Sequence, residues 1–234
     1  MDDQSPEHVS KRILKYHKDL PYISGVSIRT YIKSPYGRRI EAHGNKVYRK
    51  RRGKRKISKE IADKRMIDKR PKYIKDRKRI GDTEGDFIAP GKSGEGMLFV
   101  VGDRKSRAPF LEKIYPVSIA NVERAIGRIK KRFPELKTMT FDNDLLFIHH
   151  KRLERKFNVK IYFCHKHSPW EKGFVENRNK VIRRYIPKGS DISKYSRYYI
   201  QKLEEKLQRQ FMKCLNYLMP KEILERHRKR KKKP

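Results

Sequence analysis

GDTEGDFIAPGKSGEGMLFVVG, residues 81–102, is the most informative stretch for the fold because it predicts two strands separated by a glycine-rich segment. The first predicted strand lies within 81–90, and the apolar run MLFVVG at 97–102 supplies the second. Residues 106–114 alternate well enough between apolar and polar side chains to predict a third strand. Three strands in succession predict a strand meander.

Helices and strands alternate after this meander. The spacing of Val122, Ala125, Ile126 and Ile129 predicts a helix over 117–133. The segments that follow are a strand at 137–141, a helix at 147–157, a strand at 159–164, and helices at 174–185 and 199–218. This order predicts an α/β fold with a mixed five-stranded sheet and helices on its faces.

Residues 1–45 predict a small helical module. Ser5 and Ser24 are suited to cap two helices, and Pro6 suits the first helical position. The second predicted helix turns its basic and polar side chains outward, namely Arg29, Thr30 and Lys33. Two such helices are typical of a DNA-binding helix-turn-helix, and a plain helical hairpin is an equally good interpretation.

The charge of the chain is strongly unbalanced. It has 63 Lys and Arg against 27 Asp and Glu, a formal net charge of +36. Self-repulsion of this size favours a polyanionic partner, with nucleic acid ahead of an anionic membrane surface. The segment 46–80 predicts a basic linker that becomes ordered on phosphates through residues such as Arg51, Arg52, Lys54 and Arg55, and 226–234 predict a basic tail.

Composition argues against several other classes of protein. No apolar run approaches the roughly 20 residues of a membrane span, and the polar N-terminus does not resemble a secretory signal. Two cysteines give neither a disulfide framework nor a four-ligand zinc site. We therefore expect a cytoplasmic, nucleoid-associated protein without a membrane partner.

Acidic residues are scarce in 81–225, and three of them suit a metal site. Asp86 lies in the first predicted strand, Asp142 follows the fourth, and Glu176 lies near the start of a predicted helix. Divalent metals neutralise a phosphodiester and activate its nucleophile, and Mg²⁺ prefers carboxylate oxygens. The same pattern fits three surface partners of basic residues, and Asp82 and Glu84 share the strand face of Asp86.

Motifs spread over most of the chain favour the metal site. They are SPEH at 5–8, YIKSPYG at 31–37, IGDTEGDFI at 80–88, DRKSR at 103–107, TFDN at 140–143, YFCHKHSPWEKGFVEN at 162–177, IRRYIPKGSDIS at 182–193 and CLNYLMPKEIL at 214–224. In order and spacing they resemble the DDE transposases of the IS-thirty insertion-sequence family, within the retroviral-integrase superfamily.

The resemblance implies an RNase H-like catalytic core over 81–225 and a transposase that cleaves DNA and transfers the cut strand. It implies that Asp86, Asp142 and Glu176 are catalytic and bind two Mg²⁺ or Mn²⁺ ions. The positions expected to orient or pack beside them are Asn143, Trp170, Asn177 and Asn179. Arg183, seven positions after Glu176, is expected to reach DNA phosphate. A homo-oligomer on DNA is expected because two element ends must meet.

The chain also departs from the family pattern. The match begins at the family's second DNA-binding segment, so we expect an upstream helical domain to be absent and specific recognition of element ends to be affected. Asp144 stands where the family has glycine, and it either strains the turn beside Asp142 or simply accepts the turn geometry. The alternative functions are a catalytically inactive DNA-binding remnant that regulates transposition, and an RNA-binding protein.

Overall fold

The computed structural model describes residues 4–37, 61, 63–166 and 168–232. The chain divides into two compact units. We call residues 56–205 the sheet unit, and residues 1–55 together with 206–234 the helical unit. Each unit has its own packing.

The described elements are five strands and eight α-helices. The strands are β1 (Asp82–Ile88), β2 (Met97–Asp103), β3 (Pro109–Ile114), β4 (Thr138–Phe141) and β5 (Lys160–Phe163). The helices are α1 (Pro6–Tyr16), α2 (Gly25–Lys33), α3 (Lys72–Lys75), α4 (Ile119–Arg132), α5 (His150–Phe157), α6 (Gly173–Ile182), α7 (Arg197–Gln208) and α8 (Pro220–Lys232).

The five strands form one mixed sheet in the order β3-β2-β1-β4-β5. Strands β1, β2 and β3 pair antiparallel, as the meander predicts, and β4 and β5 run parallel to β1. The neighbours β1 and β4 therefore end at the same edge of the sheet. This topology confirms the predicted fold class, an RNase H-like α/β sheet with flanking helices.

One face of the sheet is packed with aromatic rings. The ring of Phe147 packs against the rings of Phe99 and Phe141, with centroid-to-centroid distances of 6.2 Å and 3.7 Å. On the same face Phe133, which ends α4, stacks on Phe110 of β3 at 4.5 Å. Burial of such large apolar surfaces supplies most of the driving force for folding.

The opposite face carries α6. Phe174 of this helix lies over Gly102 of β2, where a Cβ atom would come 2.3 Å from its ring. Glu84 pairs with Gly102 in the sheet register, so it lies on this face, and Asp86 follows it by alternation. The close contact at Gly102 thus holds α6 against the strand face that carries the acidic residues.

The helical unit joins the two ends of the described chain. Ser5 and Ser24 cap α1 and α2, which confirms the two predicted caps. Arg12 of α1 binds both oxygens of Glu222 in α8, at 2.8 Å and 2.7 Å. Residues 17–24 separate α1 from α2, a longer connection than the roughly 3–4 residues of a helix-turn-helix. The helix-turn-helix interpretation stays a prediction.

The C-terminal predictions need correction. The predicted helix over 199–218 ends at Gln208, and the chain then turns through Asn216 and Tyr217, whose φ angles are +61° and +66°. Residues 226–232 continue α8 and do not form a tail. Lys and Arg are good helix formers, so a helix that begins at Pro220 can continue without apolar periodicity.

The second half of the predicted linker also packs in the sheet unit. Ile74 in α3 and Ile80 before β1 are 1% and 4% exposed. Met66 forms a bridge to Phe163 of β5. A few well-placed apolar side chains therefore suffice where the sequence predicts no core. Within the described part of the chain, no helix combines the length and apolarity that crossing a bilayer requires.

Candidate active site

Three acidic side chains share one face of β1 but differ in their partners. Both oxygens of Asp82 accept hydrogen bonds of 2.9 Å from the guanidinium of Arg79. Glu84 pairs with Arg104 at 3.1 Å. These two acidic side chains are 0% and 3% exposed, whereas that of Asp86 is 27% exposed. The structure thus separates Asp86 from the two acids that the sequence could not distinguish from it.

Asp86 and Asp142 share one buried cation. Nζ of Lys172 lies 3.2 Å from Oδ1 of Asp86 and 2.8 Å from Oδ2 of Asp142. Burial opposes the charged ammonium, but the two carboxylates outweigh it and raise the pKa of Lys172 above its ordinary value. Lys172 is not among the residues predicted from the sequence, because one lysine in so basic a chain gives no signal that it will be buried.

Helix α6 carries the third predicted acid. Glu176 is exposed in the first turn of α6, about one helical turn after Lys172. Asn179 donates from Nδ2 to Oδ2 of Asp86 at 2.6 Å, which fits its expected orienting role. Among the described residues, no group of three or more His, Cys, Asp or Glu side chains is arranged to hold a metal ion. The structure brings Asp86 and Asp142 to one cation and leaves Glu176 outside that pair.

The oxygen donors at this edge fit a hard divalent cation. Asp86 and Asp142 offer carboxylates, and Oδ1 of Asn179, whose Nδ2 contacts Asp86, is buried without a hydrogen-bond partner. Mg²⁺ and Mn²⁺ take ligands of this kind. The residues present therefore fit the Mg²⁺ or Mn²⁺ that the sequence predicts.

The loop after β4 holds Asp142 without backbone strain. Asn143 accepts a hydrogen bond from Lys64 at 2.7 Å and donates to the carbonyl of Cys164 at 2.9 Å, which ties the ends of β4 and β5 together. Asp144 has an ordinary φ of −83° and accepts from the backbone N–H of Leu146 at 2.9 Å. Of the two interpretations of Asp144, the structure therefore supports the second, in which Asp144 adopts the turn geometry without strain.

The loop between β5 and α6 corrects the prediction for Trp170. Its side chain is 75% exposed, so the prediction that it packs beside the site is wrong. The short 3-10 turn Pro169–Lys172 turns Trp170 outward and Lys172 inward. In the same loop, His165 lies 2.8 Å from both Glu171 and Asp68. The hydrogen bond with Glu171 is the main cause that raises the pKa of His165.

The other predicted residues lie in several places. Arg29 of α2 forms an ion pair with Glu7 of α1, and Thr30 donates to its own helix at the carbonyl of Val26, 3.1 Å away. Arg183 donates to the carbonyl of Ala89 at 2.9 Å. Lys33 and Asn177 are exposed, while Arg51, Arg52, Lys54 and Arg55 lie outside the described residues.

The chain is similar in sequence to known transposases. The chain is 35% identical over 157 residues to the transposase for insertion sequence element IS4351 of Bacteroides fragilis, which covers 67% of the chain and 48% of that protein. It is 30% identical over 237 residues to transposase InsI for insertion sequence element IS30A of Escherichia coli (strain K12), covering 95% of the chain and 61% of that protein.

Two further comparisons concern family models and solved structures. No family model matches the chain. The catalytic core domain of BIV integrase superimposes with a TM-score of 0.49 and 15% identity, covering 65% of the chain and 99% of that domain.

The chain spans about half to three fifths of the length of the two transposases. The one compared along nearly the whole chain is a transposase of an IS30 element. The sequence similarities thus show that the chain belongs to the IS-thirty family of insertion-sequence transposases.

Proposed function

We propose that this chain cleaves DNA at the end of an insertion sequence and joins the freed strand to target DNA, with a divalent metal as cofactor. The observation that carries this proposal is the convergence of Asp86 and Asp142 on one cation, at the shared edge of β1 and β4. Glu176, in the first turn of α6, is the third carboxylate that we assign to the site, and it lies about one helical turn after Lys172 along the chain. The transposase relatives support the same reaction class.

Each role in this reaction is assigned to residues of this chain. Asp86, Asp142 and Glu176 would hold two Mg²⁺ or Mn²⁺ ions. When bound, the metal would neutralise the phosphate charge and activate the attacking oxygen. Asn179 orients Asp86 by its hydrogen bond, and Asn143 fixes the loop that presents Asp142.

The proposed reaction has two phosphoryl-transfer steps. In the first, a water oxygen bonds to phosphorus and the bond from phosphorus to the 3′-oxygen breaks, which leaves a 3′-hydroxyl and a 5′-phosphate. In the second, that 3′-hydroxyl loses its proton and attacks a phosphodiester of the target, whose own 3′-oxygen leaves and takes up a proton. One phosphodiester bond forms for each target bond broken, so joining needs no external energy source.

The charge distribution supports DNA as the substrate. The net charge of +36 favours a polyanion, and contacts of Lys and Arg with phosphates also release counterions. We propose that Lys33 and the basic residues of 46–60 supply such contacts, together with Arg29 and Arg183 if they exchange their present partners. We also propose that a homo-oligomer brings two element ends together. A cytoplasmic, nucleoid-associated location stays a prediction.

Strand transfer with a labelled duplex that carries the element end tests this function. The parent chain is incubated with target DNA in Mg²⁺ or Mn²⁺, beside Glu176→Gln and the control Glu205→Gln. Glu205 is an exposed residue of α7 that pairs with Lys202, so its substitution repeats the chemical change away from the site. We expect joined product from the parent and the control, and at least ~100-fold less from Glu176→Gln.

Two results would contradict the proposal. Glu176→Gln could join DNA as fast as the parent, which would remove Glu176 from the reaction. Alternatively, the parent could bind the duplex in a salt-dependent manner without nicking or joining it in either metal. In that case the chain would be a DNA-binding remnant and not an enzyme.

A further inference from the structure

Lys172 occupies the place between the two strand-end carboxylates. It stands at the N-cap position of α6, and its long, flexible side chain is only 4% exposed. Its ammonium contacts Asp86 at 3.2 Å and Asp142 at 2.8 Å, so one positive charge holds acids from two different strand ends. Without a cation, these two carboxylates would repel each other at short range.

An ammonium and a metal ion cannot lie between the same two oxygens together. Mg²⁺ needs its oxygen ligands at about 2.0–2.1 Å, which is much shorter than the contacts of Lys172. The two cations would also repel each other strongly at that separation. A metal that binds Oδ1 of Asp86 and Oδ2 of Asp142 must therefore displace the ammonium.

We propose that Lys172 is a positioning residue that competes with the divalent metal for Asp86 and Asp142. Lys172 holds the two carboxylates together before metal binds, and it sets how much metal is needed to displace it. A lysine suits this exchange because its point charge sits on a flexible stem, whereas an arginine would bind a carboxylate through a rigid fork. This inference rests on the proposed function, because it takes Asp86 and Asp142 as metal ligands.

Binding of Mn²⁺ to the full chain without DNA tests the competition directly. The free Mn²⁺ is counted by electron paramagnetic resonance for the parent, Lys172→Met, Asp86→Asn and the control Lys188→Met. Lys188 is an exposed lysine, so its substitution repeats the loss of charge away from the site. We expect Lys172→Met to bind Mn²⁺ about tenfold more tightly than the parent. Lys188→Met should stay within about twofold of the parent, because distant exposed charges are screened.

Amine labelling of the parent protein gives a second readout that needs no substitution. Acetic anhydride is added in brief pulses, and peptide mass spectrometry follows Lys172 and Lys188. We expect slow labelling of the buried Lys172 without Mn²⁺ and at least threefold faster labelling at saturating Mn²⁺. The labelling of Lys188 should not change. This experiment keeps the proposal testable if Lys172→Met fails to fold.

The outcomes separate this inference from the metal site itself. If Asp86→Asn loses Mn²⁺ while Lys172→Met binds it as the parent does, the metal site stands and the role of Lys172 is overturned. If saturating Mn²⁺ does not change the labelling rate of Lys172, the proposed role of Lys172 is also overturned. If Asp86→Asn binds Mn²⁺ as tightly as the parent, Asp86 is not a ligand, and the proposed metal site fails with the inference.

Discussion

Asp82 and Glu84 share a strand face with Asp86, yet each has its own arginine and almost no exposed surface, 0% and 3%. Asp86 instead shares Lys172 with Asp142, and these two acids keep 27% and 62% of their side-chain surface exposed. A guanidinium fork fixes a buried carboxylate and leaves little room for another ligand, whereas an ammonium is a point charge that can be exchanged.

The contrast separates acids that stabilise the fold from acids left open for chemistry. The same rule applies on β3, where the buried Glu112 is held by Arg128 and Arg132 at 2.6 Å each. Buried acids that are paired with arginines belong to the core, and loss of one partner leaves an uncompensated charge. An open pair that shares one lysine can accept a different cation.

The largest expected effect follows from Asp86→Asn. This change keeps the size of the side chain and removes the charge that a metal would need. We expect strand transfer to fall at least ~100-fold, because metal stabilisation of the transition state is lost. The free energy of unfolding, measured by urea denaturation, should stay within about 1 kcal/mol of the parent. Parental joining activity in this variant would show that Asp86 is not needed for the reaction.

Glu84→Gln should act on stability. Burial lowers the pKa of Arg104 to about 10, and Glu84 opposes that shift, so the pair depends on both partners. Removal of the Glu84 charge leaves Arg104 buried and unpaired, which should lower the free energy of unfolding by about 3 kcal/mol. The exposed control Glu205→Gln should lose at most about 0.5 kcal/mol. If Glu84→Gln loses no more than this control, Glu84 is not a structural acid.

Gly102→Ala tests whether the position of α6 depends on its packing over β2. A Cβ at Gly102 would lie 2.3 Å from the ring of Phe174, so the ring and α6 must shift. We expect the free energy of unfolding to fall by about 1–3 kcal/mol. Gly173→Ala is the matched control, since a Cβ there meets no atom within 4 Å. Equal stability of the two variants would show that α6 is held by other contacts.

The smallest expected effect concerns His165, which also lies between two carboxylates but on an exposed loop. Its raised pKa means that protonated His165 favours the folded state. That contribution is complete below the ordinary pKa of 6.5 and is lost as the pH rises through the higher folded value. Urea denaturation of the parent and His165→Gln from pH 5 to 9 should therefore show a difference that shrinks with rising pH. A difference that grows would reverse the assigned sign.

The sequence predicts that the site lies where neighbouring strands end. It does not predict which of the neighbouring acids belongs to the site. Alternation places Asp82, Glu84 and Asp86 on one face, and local patterns do not reveal which of them will meet an arginine. Arg79 is close in sequence to Asp82, but Arg104 reaches Glu84 from the turn after β2. The resemblance to the family, and not periodicity, selects Asp86.

Other features were hidden because they depend on tertiary contacts. Lys172 looks like any exposed lysine until α6 and the two strands surround it. Ile74 lies in a segment too basic to predict a core, yet it is buried in the sheet unit. Trp170 shows the opposite error. A large aromatic side chain predicts burial, but the turn that carries Trp170 directs it outward. The basic end of α8 lacks the apolar periodicity by which helices are recognised.

Anomalous diffraction from crystals of the chain soaked in MnCl₂ tests most directly the claim that Asp86 and Asp142 form the metal site. We predict a manganese peak bonded to oxygens of Asp86 and Asp142, with Nζ of Lys172 moved away and no manganese at Asp82 or Glu84. If crystals in saturating Mn²⁺ show no peak between Asp86 and Asp142, and Lys172 still contacts both, these two residues do not form the metal site.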